Sequence, residues 1–195
     1  TDNVTIEGNG ATLKGAISYV TSTGGDTPLQ RCPRPPTLSG TPAEDIYTAL
    51  TPGFLSVGLL GQSNAGLEVV VKDLKLFELD AIAHVRNGAN LTLDRVEANR
   101  ILSNGNSGFQ CETPAITVDN GELTLIANKW NMFRSWTTRG PNYLPGSIFG
   151  EGKLNISNSL FKDIGESGFI GWISGEVNIV SSQMDDVGGI NRPVG

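Results

Sequence analysis

The apolar residues of this chain recur with one fixed spacing along most of its length. In the segment KLNISNSLFKDI, residues 153–164, they stand at Leu154, Ile156, Phe161 and Ile164. The first pair alternates as in a β-strand, whereas the later spacings are also compatible with a helix. Four more full copies of the spacing, and a looser one in VTIEGNGATLKG, begin at Val69, Leu91, Leu123, Val177 and Val4. Repetition with identical internal spacing predicts a repeated strand unit rather than a helix.

Glycine marks a second regularity, because one glycine precedes every full copy by two or three residues. These glycines are Gly66, Gly88, Gly121, Gly152 and Gly175. Before them lie further short apolar segments, such as AITV at 115–118 and FIGWI at 169–173. Each unit is therefore predicted as strand, glycine turn, strand, short turn, apolar strand and loop. The units recur at intervals of roughly 20 to 30 residues, a period typical of solenoids.

Stacking of such units would align equivalent apolar residues into inward columns, with strands about 4.8 Å apart. The first predicted column is Val4, Val69, Leu91, Leu123, Leu154 and Val177. The second is Ile6, Val71, Leu93, Leu125, Ile156 and Ile179. The third is Leu76, Ala98, Trp130, Phe161 and Met184. The third column mixes large and small side chains, which predicts a cross-section that varies along the stack.

The repeated pattern resembles the right-handed parallel β-helix of the pectin-lyase-like superfamily over nearly the whole chain, apart from residues about 18–53. VTIEGNGATLKG is similar to the opening coil of many such proteins. The resemblance implies an all-β, right-handed parallel β-helix (solenoid) of about six coils. It also implies a single domain over residues 1–195 and an extracellular or cell-surface location. It identifies no activity, because this fold hosts lyases, hydrolases, adhesins, phage spikes and ice binders.

Three long connections interrupt the pattern, at residues 18–53, 103–113 and 135–146. Each follows the last apolar position of one unit and precedes the first strand of the next. We therefore expect these inserts to leave the stack at the same corner and to form one loop-bearing edge. The first insert, 18–53, is rich in Pro and Gly and is predicted to be irregular, with one short helix at AEDIYTAL.

The inserts contain the candidate binding residues, since loops on a rigid scaffold commonly carry function. Aromatic and Arg side chains together suit stacking on sugar rings or contact with a protein. The candidates are Arg31, Arg34, Tyr47, Phe109, Trp136, Arg139 and Tyr143. The alternative is that these side chains pack the loops onto the scaffold.

The two cysteines lie in different inserts, Cys32 in the first and Cys111 in the second. Because both inserts are expected at one corner, we predict a Cys32–Cys111 disulfide, which fits an oxidising compartment. Two unrelated buried thiols are the alternative. Glycosylation sequons occur at Asn3, Asn90 and Asn155, and they are used only if the chain passes through a eukaryotic secretory pathway.

Charge and hydropathy exclude two classes of function. The net charge of -6 and the lack of a Lys/Arg cluster argue against a nucleic-acid binder. No apolar run is long enough to span a bilayer, and no signal peptide is recognisable. The first residue is Thr rather than Met, which favours a processed chain, a fragment of a longer protein, or numbering from a mature start.

Catalytic residues are hard to assign. Polysaccharide hydrolases of this fold resemble one another in clustered carboxylates with a His nearby. Here the pair Asp185 and Asp186 is expected on a corner as surface charge, and His84 is expected to point outward on the surface. RCPR at 31–34 resembles part of the Arg-x-Pro-x-x-Arg element of pectate lyases, but the second Arg is missing from the expected place. We therefore assign no catalytic residue, no metal and no cofactor.

A threonine ladder of the kind found in solenoid ice binders is a further possibility. Thr5, Thr92 and Thr124 occupy the position between the first two apolar columns. The neighbouring position carries charges, for example Glu68 and Lys153, which would disturb an ordered water lattice. Thr is also a good strand former, so the ladder does not require this function.

The ends of the stack suggest assembly, because a parallel β-helix exposes open strand edges unless they are capped. The sequence opens on the strand VTI and shows no capping helix there. Our first hypothesis is a non-catalytic extracellular scaffold, or an adhesin-like binding or assembly module, similar to polymorphic outer-membrane and adhesin β-helices. Its expected partners are a polysaccharide, a surface protein, or further copies or domains stacked on the open ends. The alternative is a polysaccharide-active enzyme, lyase or hydrolase, with its site on the insert-bearing face.

Overall fold

The computed structural model describes residues 3–14, 53–58, 62–79, 81–103, 115–135, 147–165 and 169–187. All regular secondary structure within these ranges is β. The strands are β1 (Val4–Glu7), β2 (Thr12–Lys14), β3 (Gly53–Val57), β4 (Glu68–Lys72), β5 (Lys75–Phe77), β6 (Ala81–Val85), β7 (Asn90–Asp94), β8 (Glu97–Ser103), β9 (Ile116–Ile126), β10 (Lys129–Ser135), β11 (Ile148–Ser157), β12 (Leu160–Gly165), β13 (Ile170–Val180) and β14 (Gln183–Val187). The predicted helix at AEDIYTAL lies outside the described residues.

The strands form two sheets, and within each sheet all neighbouring strands are parallel. The first sheet has the order β1-β4-β7-β9-β11-β13, and β3 and β6 extend it by pairing with each other and, through β6, with β9. The second sheet has the order β14-β12-β10-β8-β5-β2. The chain passes repeatedly from the first sheet to the second, with β3 and β4, and β6 and β7, as consecutive strands within the first sheet, and each passage adds a strand to the stack. This arrangement is consistent with a parallel β-solenoid.

The segment that posed the choice between helix and strand follows this path. Residues 153–157 form the end of β11 in the first sheet, and β12 begins at Leu160 in the second sheet. A short corner at Asn158 and Ser159 joins them, and the left-handed backbone of Asn158 (φ 51°) turns the chain. The sequence prediction of a strand and a corner is confirmed.

The strand register confirms the three apolar columns. Val4, Val69, Leu91, Leu123, Leu154 and Val177 lie side by side across six strands of the first sheet. The second column follows two residues further along the same strands. The third column lies across the second sheet, where Leu13 joins it beside Leu76. The interior members of the columns form a continuous buried core.

The third column packs large side chains against small ones, as its composition predicts. Trp130 is the neighbour of Ala98 on one side and of Phe161 on the other. The rings of Trp130 and Phe161 meet edge to face, with centroids 5.3 Å apart at 89°. Phe169 then packs on Phe161 with centroids 4.4 Å apart. This aromatic cluster contains the three largest fully buried side chains of the core.

The predicted glycine turns are correct for the earlier units and wrong for the later ones. Gly66 and Gly88 lie in turns. Gly121, Gly152 and Gly175 instead lie inside the continuous strands β9, β11 and β13, where they are neighbours in register. A Cβ atom on Gly152 would clash with the carbonyl oxygen of Gly121, and one on Gly175 with that of Gly152. Glycine is thus required there because successive backbones approach closely.

A polar ladder runs through the corner between the two sheets. The Asn128 side chain is fully buried, accepts a hydrogen bond from the Val96 N–H at 3.1 Å and donates one to the Leu93 carbonyl at 2.7 Å. In the next unit the Ser159 hydroxyl accepts from the Asn128 N–H at 3.0 Å. Ser182 accepts from the Ser159 N–H at 3.2 Å in the unit after that. These side chains satisfy backbone groups that the corner leaves without strand partners.

Candidate functional site

The predicted binding residues Arg31, Arg34, Tyr47, Phe109, Trp136, Arg139 and Tyr143 all lie outside the described residues, as do Cys32 and Cys111. The binding role and the disulfide therefore stay predictions. The structure does describe the strand ends that flank the inserts.

Those strand ends stack on one another. β8 and β10, which lead into the second and third inserts, pair up to their last residues, Ser103 with Ser135. The strands that follow these inserts, β9 and β11, pair from their first described neighbours, Ile116 with Ile148. β3 follows the first insert and joins the same array through β6. The chain thus enters and leaves the inserts along one edge of the two sheets.

A row of polar side chains lies close to this edge on the outer face of the first sheet. Ser56, His84 and Thr117 are neighbours in register on β3, β6 and β9. Strand alternation places them opposite the core residues Val85 and Val118. His84 and Thr117 are nevertheless only 6% and 5% exposed, so this part of the outer face is closed to solvent.

His84 corrects the expectation of a surface histidine. Its two ring nitrogens, and Oγ1 of Thr117, are buried and make no hydrogen bond in the part of the chain that the structure describes. Burial, together with the smaller effect of the positive charge of Arg86, lowers the pKa of His84 to about 4. The imidazole is therefore neutral at pH 7, and it offers one donor and one acceptor without a partner.

Arg86 fixes the neighbouring end of this row. Its side chain is buried and donates from Nε to the Ser56 hydroxyl at 3.2 Å. The Arg86 carbonyl accepts a hydrogen bond from the buried Asn64 amide at 3.3 Å. We call the buried side chains of His84, Arg86 and Thr117, with the exposed Ser56 at one end, the buried polar row. It combines a cation, hydroxyls and a neutral imidazole, a donor and acceptor set that suits a neutral polyhydroxyl group.

A second polar feature lies at the corner between β4 and β5. Arg95 makes a bidentate ion pair with Asp73, at 2.7 and 2.9 Å, and donates from Nη1 to Asp94 at 2.8 Å. The hydrogen bond from Arg95 holds the pKa of Asp73 below its usual value, and the pKa of Arg95 is raised in turn. An open groove of 560 Å³ runs past this cluster and is also lined by Lys75 and Glu97.

Four of the charged side chains that line that groove, Asp73, Lys75, Arg95 and Glu97, take part in ion pairs. Lys75 lies 3.6 Å from Glu97, and both carboxylates near Arg95 are used by its guanidinium. A ligand charge would have to compete with these exposed pairs. The groove is therefore a weaker candidate for binding than the buried polar row, and its ion pairs cross-link consecutive units at the corner.

Two predicted features have positions in the structure. Asp185 and Asp186 are exposed, but they lie within β14 rather than on a corner, and Asp185 is 3.9 Å from Lys162.

The sequon residues Asn3, Asn90 and Asn155 lie in or next to the first sheet. Asn155 donates to Glu122 at 2.8 Å and accepts from Asn178 at 3.1 Å, so glycosylation there would replace a ladder of side-chain contacts.

The two ends of the stack expose residues that belong to the core columns. Val4 and Leu13 are 45% and 42% exposed, and Ile179 and Met184 are each 38% exposed. Their column neighbours Val69, Leu76, Ile156 and Phe161 are buried. The outer edges of β1 and β2, and those of β13 and β14, have no strand partner among the described residues. We call these two surfaces the first and the last end face.

Sequence reasoning missed the buried polar row. The sequence AIAHVR reads as a half-exposed strand, and nothing in its alternation indicates that the outer side is closed. A single signal was present: Thr117 stands in register with His84 once AITV and AIAHV are aligned as equivalent strands. That alignment predicts adjacent polar side chains, although not their burial.

Comparison with protein-family models gives no match, and neither does comparison with curated proteins or with solved structures. Within the described ranges, no group of three or more His, Cys, Asp or Glu side chains is placed to hold a metal ion. Nor does that part of the chain contain a helix long and apolar enough to cross a membrane. The functional argument therefore rests on the strand topology and on the surfaces described above.

Proposed function

We propose that this chain is a right-handed parallel β-helix of about six coils that acts outside the cell as a non-catalytic scaffold with an adhesin-like binding surface. The binding surface consists of the three inserts. The parallel two-sheet topology and the three in-register apolar columns support the β-helix. The resemblance to the pectin-lyase-like superfamily supports the handedness and the extracellular location.

One observation carries the binding role: the strand ends that flank the inserts stack along a single edge. Because the flanking strands end at that edge, the proposal assigns the three inserts to one side of the molecule. Loops anchored in this way present several side chains to one ligand at little cost in scaffold stability. The Arg and aromatic residues of the inserts suit a polysaccharide or a protein surface as the ligand.

Binding to immobilised polysaccharides tests this proposal with a matched pair of triple variants. The first replaces Arg31, Arg34 and Arg139 by Ala. The control replaces Lys75, Lys129 and Lys162 by Ala, which removes the same charge from exposed positions on the second sheet. We expect the insert variant to lose at least about tenfold in affinity, since Arg is enriched among binding hot spots. Equal losses in both variants, or none in either, would contradict binding by the inserts.

The buried polar row favours a second candidate, a polysaccharide-active lyase or hydrolase. The neutral imidazole of His84 has a free lone pair at pH 7, but its pKa of about 4 makes it a weak base, and catalysis would require this closed part of the face to open. The assay follows new reducing ends and unsaturated uronate on acidic and neutral polysaccharides, with and without Ca²⁺. Turnover that falls about 100-fold or more in His84→Ala would establish this activity and replace the non-catalytic proposal. Turnover that His84→Ala leaves unchanged would place the catalytic group elsewhere.

A further inference from the structure

Both end faces expose strand edges of the same two parallel sheets. The first end face presents the outer edges of β1 and β2, and the last presents those of β13 and β14. All strands run in parallel, so a copy translated along the stack brings its β1 beside β13 and its β2 beside β14 with the correct strand direction.

We propose that the chain assembles head to tail, with the first end face of one copy on the last end face of the next. The occupant of each end face is a second copy of this chain. The inference uses the solenoid topology and does not rest on binding by the inserts. The contact is heterologous and does not close on itself, so it produces open linear assemblies.

The apolar residues fix the register of this contact. If the six-strand columns continue across it, Val4 lies on Val177, Ile6 on Ile179 and Leu13 on Met184. Each pair continues a column whose interior members are buried. Stacking therefore buries the core residues that both ends leave exposed, and it pairs two open strand edges through backbone hydrogen bonds.

The polar residues agree with the same register. Lys14 falls beside Asp185, which repeats the contact of Lys162 with Asp185 at 3.9 Å within the chain. Thr5 falls beside Asn178, whose side-chain NH₂ group donates to Asn155 Oδ1 at 3.1 Å, so the Thr5 hydroxyl would extend this polar ladder by donating to the side-chain oxygen of Asn178.

Asn3 falls beside Glu176, and inside the chain Asn3 already donates to a glutamate in that column, Glu68, at 3.3 Å. These columns bring no like charges together. Charge and hydrogen-bond complementarity thus single out a copy of this chain as the occupant.

Sedimentation velocity over a range of concentrations tests the assembly on the full chain, with Ile179→Lys as the disrupting variant. Its matched control is Ile173→Lys, on the same strand, equally apolar and 45% exposed, with no residue of β1 or β2 opposite it. We expect species larger than a dimer to grow with concentration in the wild type and in Ile173→Lys. Association should weaken at least about tenfold in Ile179→Lys, because a charge replaces a buried Ile contact.

Charge exchange tests the register. Lys14→Asp and Asp185→Lys should each weaken association, because each brings like charges together, and the double variant should regain part of the loss. Wild-type chain that stays monomeric at every concentration would overturn the proposal and would leave binding by the inserts untouched. Association that Ile179→Lys does not affect would overturn the assignment to the end faces. Circular dichroism confirms that each variant retains the wild-type strand content.

Discussion

At the scale of single residues, Asn128 links strands β7 and β9 with the corner that precedes β8 through one buried amide. Its carbonyl oxygen and its NH₂ group serve backbone groups of Val96, Leu93 and Ile126. Replacing Asn128 by Ala leaves a buried N–H and at least one buried carbonyl without partners. We expect the free energy of unfolding to fall by about 2 to 3 kcal/mol, measured by urea denaturation.

The control for Asn128 is the neighbouring Asn131→Ala. Asn131 lies in β10, is partly exposed, and belongs to the outer side of the second sheet. Its replacement should change the free energy of unfolding by less than about 0.5 kcal/mol. Similar losses in both variants would show that the corner amide has no special role.

His84 gives the molecule a defined response to acid. Its pKa in the folded state is about 4, below the unfolded value of 6.5, so the unfolded chain binds more protons between these values. Stability should be constant above about pH 6.5 and should fall as the pH drops toward 4, by about 3 kcal/mol from this residue. The check is the urea midpoint measured at intervals from pH 7.5 to 4.

His84→Leu is the variant for that comparison, because it removes the ionisable group and keeps a side chain of similar size. The fall between about pH 6.5 and pH 4 should be largely absent in this variant. Asp73 acts in a different window, since its lowered pKa makes its contribution fall only below its ordinary value of 3.8. An unchanged pH profile in His84→Leu would show that other groups cause the acid response.

At the scale of elements, the long strands β9, β11 and β13 depend on close backbone approach at glycine. Gly152 has φ 103°, and a Cβ atom there would clash with backbone atoms of Gly121. Gly10 also has a positive φ, 78°, but no atom lies within 4 Å of its Cβ position. Substitutions at Gly10 and at Gly152 therefore distinguish the energetic cost of backbone strain from that of steric contact.

We expect Gly10→Ala to cost about 1 to 2 kcal/mol of unfolding free energy, from the left-handed conformation alone. Gly152→Ala should cost clearly more, because strands β9 and β11 must also move apart. Urea denaturation of both variants measures the difference. Equal costs would mean that the backbones separate freely at this position.

Much of the element level follows from the sequence, and the exceptions have physical causes. The spacing of residues such as Leu123 and Leu125 predicts strand, register and core, because inward positions must repeat in every unit. The same spacing does not reveal that Gly121 lies within a continuous strand. A glycine required by a turn and a glycine required by close approach to a neighbouring backbone carbonyl cannot be told apart in the sequence. The buried polar row was not predictable either, because the closure of an outer face depends on long-range packing rather than on alternation at His84.

At the scale of the whole molecule, stability should decrease from the middle of the stack to its ends. The columns at β7, β9 and β11 are buried, whereas Val4 and Ile179 are exposed at the two end faces. Each unit of a solenoid is stabilised mainly by its immediate neighbours, so an end unit has one neighbour fewer. In hydrogen exchange at low concentration, amides of β1 and β14 should exchange faster than those of β9. Uniform protection along the stack would show that the end units are as stable as the middle.

The Trp130 column also bears on how such a chain diversifies. Units that arose by copying would at first be interchangeable, but Trp130 now faces Ala98 and the two sizes depend on each other. Removal of the unit that contains Ala98 would close the backbone array again and bring Trp130 beside Leu76, so the indole would meet a larger side chain than Ala98. The order of the units has thereby become fixed by side-chain volume, and lineages of this protein are expected to change in length through their inserts rather than by loss of an internal unit.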